Sequence, residues 1–165
     1  NNNAKFDFFN NKKESYKVKS LIDLFISKAT SNQIFLRSNI LKRITEEPFD
    51  INMGVGSGTI YGSSEETDFL IRLYKKESNI IVHKKIFIFH SNDYPPPLKS
   101  YLYGLGRYKL IKKHKLGLFY YSINLIYPIV NIFLKFDFIK YKSYLGTILG
   151  RAGLKFLLPI FKIKG

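Results

Sequence analysis

The sequence predicts an α/β protein, and three observations lead to that prediction. Short apolar runs rich in Ile, Val and Phe, at residues 80–82 and 86–89, have the composition of β-strands. Other stretches have helical periodicity, of which residues 65–76 are the clearest. Beyond a run of three prolines the chain becomes basic and aromatic, and we expect it to continue as helices. The sequence therefore predicts two units, residues 1–97 and residues 98–165.

The first unit begins with a polar stretch, residues 1–19, that we expect to be a loop or a poorly ordered start. Residues 21–26 form a short apolar run that is compatible with either a helix or a strand. Residues 32–37 are predicted to form a strand between turn residues. Residues 38–44 follow as a short predicted helix, with Ser38 as a plausible cap.

The second unit is predicted to be helical, beginning with a helix over residues 99–115. Residues 116–134 carry no charge, and their length is compatible with a membrane span. Their polar residues and tyrosines also fit a helix lying among lipid headgroups, a shallow hairpin broken at Pro128, or a core helix. Residues 144–160 form a second apolar stretch, whose small residues would let two helices pack closely. The alternative for this stretch is an amphipathic helix docked on the domain.

The net charge of +15 is unevenly distributed along the chain. Residues 1–98 carry 14 basic and 11 acidic residues, whereas residues 99–165 carry 13 basic residues and one acid, Asp137. Such a tail suits an anionic membrane surface or nucleic acid. We favour the cytoplasmic face of a membrane and expect no nucleic acid, because the basic clusters flank an uncharged run and no RNA-binding motif is present. The chain has no cysteine, which excludes disulfides and thiolate zinc sites.

Three acids, Glu65, Glu66 and Asp68, lie together at the start of the clearest predicted helix, directly after a glycine-rich loop. One interpretation is ordinary capping, since Ser63 and Glu66 fit a capping box and acids suit a first helical turn. A cap requires neither a second acid beside Glu66 nor a glycine-rich loop. The other interpretation is an active site, in which neighbouring carboxylates raise one pKa and so help a base to work near neutral pH.

Five segments in order carry a resemblance to a known family. They are the Phe-Asp pair at 49–50, the glycine loop at 54–58, EETDFLIRL at 65–73, the histidine-terminated strand at 86–90, and YGLGRY at 103–108. Together they resemble the C-terminal half of a family 2 glycosyltransferase, whose catalytic domain has the GT-A fold. The resemblance implies an inverting enzyme that transfers a sugar from a nucleotide-sugar donor to a glycan or lipid-linked acceptor, as in polysaccharide biosynthesis.

The same resemblance implies roles for individual residues. Glu66 occupies the position of the catalytic base, which takes the proton of the acceptor hydroxyl, and Glu65 is the next candidate. Asp68, Tyr103 and Arg107 would contact the diphosphate or the acceptor. Asp68 also suits a role in orienting the helix or pairing with a basic group.

A divalent metal, Mg²⁺ or Mn²⁺, is also implied, with His90 close to it at the end of the predicted strand. The main metal ligand of the family, an Asp-x-Asp motif in the nucleotide-binding half, is absent from these residues. We therefore expect the chain to be the acceptor-side half of the catalytic domain and to be inactive alone. Gly104 stands where processive members carry Gln, which favours a non-processive transferase.

A second class of function stays open beside the enzyme. The chain could be a non-catalytic adaptor at a membrane surface, with a polybasic tail and with its acids serving only as a helix cap. Liposome binding without binding of a sugar donor would favour that alternative.

Overall fold

A computed structural model of the chain describes residues 15–27, 31–37, 40, 48–76, 79–83, 95–134 and 140–162. These residues are mostly helical and include a two-stranded antiparallel sheet. The helices are α1 (Leu21–Ile26), α2 (Glu65–Lys76), α3 (Pro97–Lys113), α4 (Leu118–Leu134), α5 (Tyr141–Arg151) and α6 (Leu158–Lys162). The strands are β1 (Ser15–Lys17) and β2 (Ile81–His83), and short 3-10 turns lie at Ser31–Gln33 and Lys155–Leu157.

Helices and strands are both present, but a sheet of two strands does not by itself identify a GT-A fold. In this sheet Tyr16 lies opposite Val82, and the pairing continues where the Val18 N–H donates to the Ile80 carbonyl at 2.8 Å. The prediction of a loop over residues 1–19 is therefore wrong for β1, because these residues find a partner strand far along the chain.

The strand predicted for residues 32–37 is also wrong. The segment begins with a 3-10 turn and continues without regular structure. Ile34 and Leu36 pack against the core while Phe35 is exposed, which is the alternation of a strand. No other strand in the described part of the chain pairs with it. The predicted helix at residues 38–44, except Ile40, and the predicted strand at residues 86–89 lie outside the described residues.

The core forms around α2, which has the bounds that its periodicity predicted. Phe69, Ile71 and Leu73 of this helix are buried together with Phe25 of α1 and Leu110 of α3. Burying such side chains is worth about 1.5–3 kcal/mol each. Residues from both sides of the prolines therefore share one hydrophobic core.

Helix α3 packs closely against α5 through glycines, as the small residues of the sequence predicted. A Cβ atom added at Gly104 would lie 2.6 Å from the Thr147 carbonyl oxygen, and one added at Gly146 would lie 2.6 Å from the Pro97 carbonyl oxygen. A Cβ at Gly150 would overlap the backbone of Tyr101. The two helix backbones thus approach to a distance that only glycine permits at these positions.

Helix α4 continues through Pro128, so the shallow hairpin that we considered as one alternative for this stretch is wrong. Proline has no N–H and leaves the carbonyl of residue 124 without its usual helical donor. That Asn124 carbonyl instead accepts from Nη1 of Arg151 on α5, at 2.9 Å. A contact with the neighbouring helix therefore compensates for the proline. None of the described helices is both long and apolar enough to cross a membrane.

Candidate functional site

The glycine-rich loop lies directly over the Glu65 carboxylate at the start of α2. A Cβ atom added at Gly54 would lie 2.5 Å from Glu65 Oε1 and 2.8 Å from Oε2, and Gly54 has a φ of +97°. Gly54 is also fixed from the other side, since its N–H donates to the Tyr61 carbonyl at 2.8 Å. The loop can therefore cover Glu65 only with glycine at residue 54.

Glu65 occupies an environment that disfavours its charge. Burial raises its pKa, and the neighbouring Glu66 carboxylate raises it further, whereas the backbone N–H groups of Glu65 itself and of Val55 act in the opposite direction. The Oε2 atom is buried and has no hydrogen-bond partner among the described residues. The start of α2 thus holds two adjacent carboxylates, one of which is poorly solvated.

Glu66 is half-buried and points to a different part of the chain. Its Oε1 atom accepts from the Ser31 N–H at 3.2 Å, which connects α2 to the 3-10 turn. The Ser63 hydroxyl donates to the Tyr103 carbonyl at 2.8 Å. The predicted capping box is therefore wrong, because Ser63 and Glu66 each bond to a different element instead of to each other's backbone.

Asp68 is fully buried and is surrounded by basic side chains. Arg72 Nε lies 2.9 Å from its Oδ2 atom, and Lys113 Nζ and His114 Nε2 each lie 2.8 Å from Oδ1. Burial alone would raise the pKa of Asp68, but the hydrogen bonds from His114 and Lys113 outweigh it and hold the pKa at about 2. Asp68 thus fixes α2 to the end of α3, in line with the structural role that we considered for it.

Lys113 and His114 were not predicted as site residues. Lys113 also contacts Asp50 of the Phe-Asp pair at 2.8 Å, so it links the segment before the glycine loop to α2. In the sequence these two residues lie in an ordinary basic run at a helix end, and their acidic partners are far away along the chain. Only the folded chain brings Lys113 and His114 into contact with these acidic partners.

Tyr103 and the preceding loop lie in close contact. A Cβ atom added at Gly106 would lie 2.7 Å from the Ser63 hydroxyl oxygen, so α3 meets the residues before α2 through this glycine. The Gly62 N–H donates to the Leu102 carbonyl at 3.1 Å. Tyr103 therefore lies beside Gly62 and Ser63, which come just before α2 in the chain, and Lys99 Nζ is 5.6 Å from its ring centre.

Arg107 faces α1. Its Nη2 atom donates to the Phe25 carbonyl at 2.7 Å, and its guanidinium carbon lies 3.9 Å from the centre of the Phe25 ring. Burial, together with the nearby Arg151, lowers the pKa of Arg107 to about 9, which leaves it protonated at neutral pH. These contacts place Arg107 against the core and not beside the two glutamates.

The metal predicted near His90 is not tested by this arrangement, because His90 lies outside the described residues. Within the described ranges no three His, Cys, Asp or Glu side chains are grouped so that they could hold an ion. Asp50 and Asp68 are instead engaged by Lys113. We therefore derive no step of the chemistry from a metal.

Comparisons of the chain with protein-family models, with curated proteins and with solved structures each gave no match. The interpretation of this site therefore depends on its own geometry and on the sequence resemblance.

Proposed function

We propose that this chain forms the acceptor-side part of an inverting glycosyltransferase and that Glu66 is its catalytic base. The observation that carries the proposal is the carboxylate pair at the start of α2, with the glycine loop over Glu65 and with Glu66 half-buried beside it. A base must reach the acceptor hydroxyl, and Glu65 is the less suitable member of the pair, because the glycine loop lies on its carboxylate and its Oε2 atom is buried.

Three contacts hold the pair in place before any ligand arrives. The Asp68 network fixes α2 to α3, the close approach at Gly106 fixes the preceding loop, and the Ser31 N–H fixes one oxygen of Glu66. Prior positioning of a catalytic group lowers the entropic cost of the reaction. A pair that served only as a helix cap would not need these connections to three separate elements.

In the proposed reaction, Glu66 takes the proton of the acceptor hydroxyl as the acceptor oxygen forms its bond to the anomeric carbon of the sugar. The bond from that carbon to the nucleotide diphosphate breaks on the opposite face, and the diphosphate leaves with the bonding electrons. Proton uptake by Glu66 also removes its repulsion with Glu65. This relief favours the transfer, because two adjacent carboxylates are less stable when both are charged.

The proposal is tested by Glu66→Gln in the protein expressed from its complete reading frame. Sugar transfer from a panel of nucleotide sugars to a membrane extract is followed by mass spectrometry. We expect a loss of at least about 100-fold, the usual contribution of a general base. Glu77→Gln makes the same chemical change eleven residues later in the sequence and should retain activity. A folded Glu66→Gln protein that transfers sugar at the normal rate would contradict the proposal.

A second candidate function, the membrane-surface adaptor, is favoured by the exposed apolar side chains of α4. Phe119 and Phe133 are 64% and 80% exposed, and Leu118 and Leu134 are also exposed at the two ends of the helix. Lysines precede and follow this helix in the sequence. An apolar helix face between cationic ends fits the headgroup region of an anionic bilayer.

Vesicle sedimentation separates the two candidates. The double substitution of Phe119 and Phe133 by Ser should abolish binding to vesicles that contain phosphatidylserine, and added salt should weaken binding by the natural chain. Phe35→Ser is the matched control, because Phe35 is 74% exposed in a different part of the chain. Vesicle binding combined with normal transfer by Glu66→Gln would leave the adaptor as the better description.

A further inference from the structure

His114 lies between a buried carboxylate and an exposed lysine, and these two contacts determine which of its nitrogens carries a hydrogen. Its Nδ1 atom lies 3.4 Å from Nζ of Lys75 on α2, and its Nε2 atom lies 2.8 Å from Oδ1 of Asp68. An ammonium group only donates hydrogen bonds, so Nδ1 accepts. An ionised carboxylate only accepts, so Nε2 carries the hydrogen. The two contacts together define a neutral imidazole protonated on Nε2.

Asp68 holds this tautomer in place. Its carboxyl group is ionised at neutral pH, because its pKa is about 2. The Asp68 side chain is fully buried and that of His114 is only 5% exposed, so water competes little for the hydrogen bond between them. Arg72 and Lys113 contact the same carboxylate. The Nε2 side of the imidazole is therefore occupied, and Nδ1 is the nitrogen that can accept a proton.

Lys75 is exposed at the C-terminal end of α2, so a reagent in solution can reach its amino group. A lysine becomes a nucleophile when a neighbouring base takes a proton from its nitrogen. In serine hydrolases a carboxylate orients an imidazole, and the imidazole contacts the nucleophile. Asp68, His114 and Lys75 are arranged in the same order.

We propose that Lys75 is an acylation site that reacts with acyl thioesters. One proton of the Lys75 ammonium group goes to water, and the neutral amine attacks the carbonyl carbon of the thioester. The bond from that carbon to sulfur breaks, and the thiolate leaves with the bonding electrons. A second proton passes from Nζ to Nδ1 of His114 and then to the thiolate. The products are an amide on Lys75 and a free thiol, and the reaction does not depend on sugar transfer.

The test compares Lys75 with Lys76, the next residue of α2, which is also exposed. The folded full chain is incubated with acetyl-coenzyme A at neutral pH, and acetylation is followed by mass spectrometry. Cleavage after glutamate releases residues 67–77, which contain both lysines, so their rates are compared within one peptide. Lys75 should react at least about tenfold faster, since an ideally positioned base contributes about 10²–10⁴-fold and the 3.4 Å contact is longer than ideal.

Three controls connect the difference in rate to the imidazole. In concentrated urea the two lysines should react at equal rates, because the contact with His114 is lost. His114→Gln keeps a donor for Asp68 in place of Nε2 and removes the base, so the folded variant should also show equal rates. Glu66→Gln should keep the preference for Lys75, so a failure of the catalytic proposal would appear in sugar transfer and not in acetylation.

Nitrogen NMR of the imidazole tests the tautomer in the natural chain, with the His114→Gln spectrum as the assignment. At neutral pH His114 should carry a hydrogen on Nε2 and none on Nδ1. The opposite tautomer, or hydrogens on both nitrogens, would refute its role as the base. Equal acetylation of Lys75 and Lys76 in the folded natural chain would refute the acylation site. A preference for Lys75 that persists in folded His114→Gln would also refute the proposal, because the base would then contribute nothing.

Discussion

Asp68→Asn should destabilise the folded chain strongly and in a pH-dependent way. In the natural protein the Asp68 pKa is about 2, well below its ordinary value of 3.8. This difference corresponds to about 2 kcal/mol of folding free energy. The substitution also leaves Lys113 and His114 facing a neutral amide in a buried site, so the total cost at neutral pH should be about 2–5 kcal/mol.

The pH dependence follows from the direction of the Asp68 shift. Because the folded-state pKa is depressed, the stabilisation is complete above the unfolded-state pKa near 4 and is lost as the pH falls towards 2. The free energy of unfolding of both proteins is measured by urea titration from about pH 7 down to about pH 2.5. The gap between them should be largest above about pH 5 and should narrow by about 2 kcal/mol towards the acid end.

Asp50→Asn is the matched control for this prediction. Asp50 shares Lys113 with Asp68, but it lies near the surface and also accepts from the Asn52 N–H, which an amide oxygen can still do. Asp50→Asn should therefore lower the free energy of unfolding by only about 1 kcal/mol. Equal stability of Asp68→Asn and the natural chain at neutral pH, or a gap that does not change with pH, would refute the proposed anchoring of α2 by Asp68.

Three further predictions concern the glycine contacts and the junction of α3 with the C-terminal segment. Gly150→Ala should lower the free energy of unfolding by at least about 2 kcal/mol in urea titrations, because its Cβ would overlap the Tyr101 backbone. The control Gly117→Ala has open space around it and should change the free energy of unfolding by less than about 1 kcal/mol. Gly54→Ala should displace the glycine loop from Glu65, so a protease should cleave the loop faster in this variant than in Gly117→Ala. Equal cleavage of the two variants would contradict the close contact between Gly54 and the Glu65 carboxylate. Tyr101→Phe should cost about 1 kcal/mol, since the Tyr101 hydroxyl donates to the Leu154 carbonyl at 2.5 Å, and an unchanged unfolding midpoint would refute that contribution.

The helices with strong local signals could be predicted from the sequence. Helix α2 combines acids in its first turn with a clear apolar face, and its bounds agree with the prediction. The predicted helix over residues 99–115 lies two residues later than the observed α3. It could be predicted even though α3 contains two glycines. Its glycines serve close packing against α5 and the loop before α2, so tertiary contacts offset their low helix propensity.

Features that depend on distant partners could not be predicted. Strand β1 exists because it pairs with β2, and the run at residues 32–37 lacks such a partner in the described chain despite a strand-like composition. The continuation of α4 through Pro128 depends on Arg151, which belongs to another helix.

The candidate site likewise contains features that could be predicted from neighbouring residues in the sequence and features that depend on distant partners. The acids of α2 and the glycine loop were found from the sequence, because they are adjacent in the chain. The burial of Asp68 by Lys113 and His114 was not found, since these two residues lie in a basic run with no local sign of a partner. Arg107 was assigned to ligand binding by resemblance, whereas the structure places its guanidinium against Phe25.

The central proposal is that Glu66 removes the acceptor proton, and the most direct test is the rate of sugar transfer by Glu66→Asp and Glu66→Gln in the complete protein. Aspartate keeps the carboxylate on a side chain that is one methylene shorter, and glutamine removes only the charge and the basicity. We predict substantial transfer by Glu66→Asp and a loss of at least about 100-fold in Glu66→Gln, with both proteins folded. Equal rates for the two variants would contradict the assignment of Glu66 as the base.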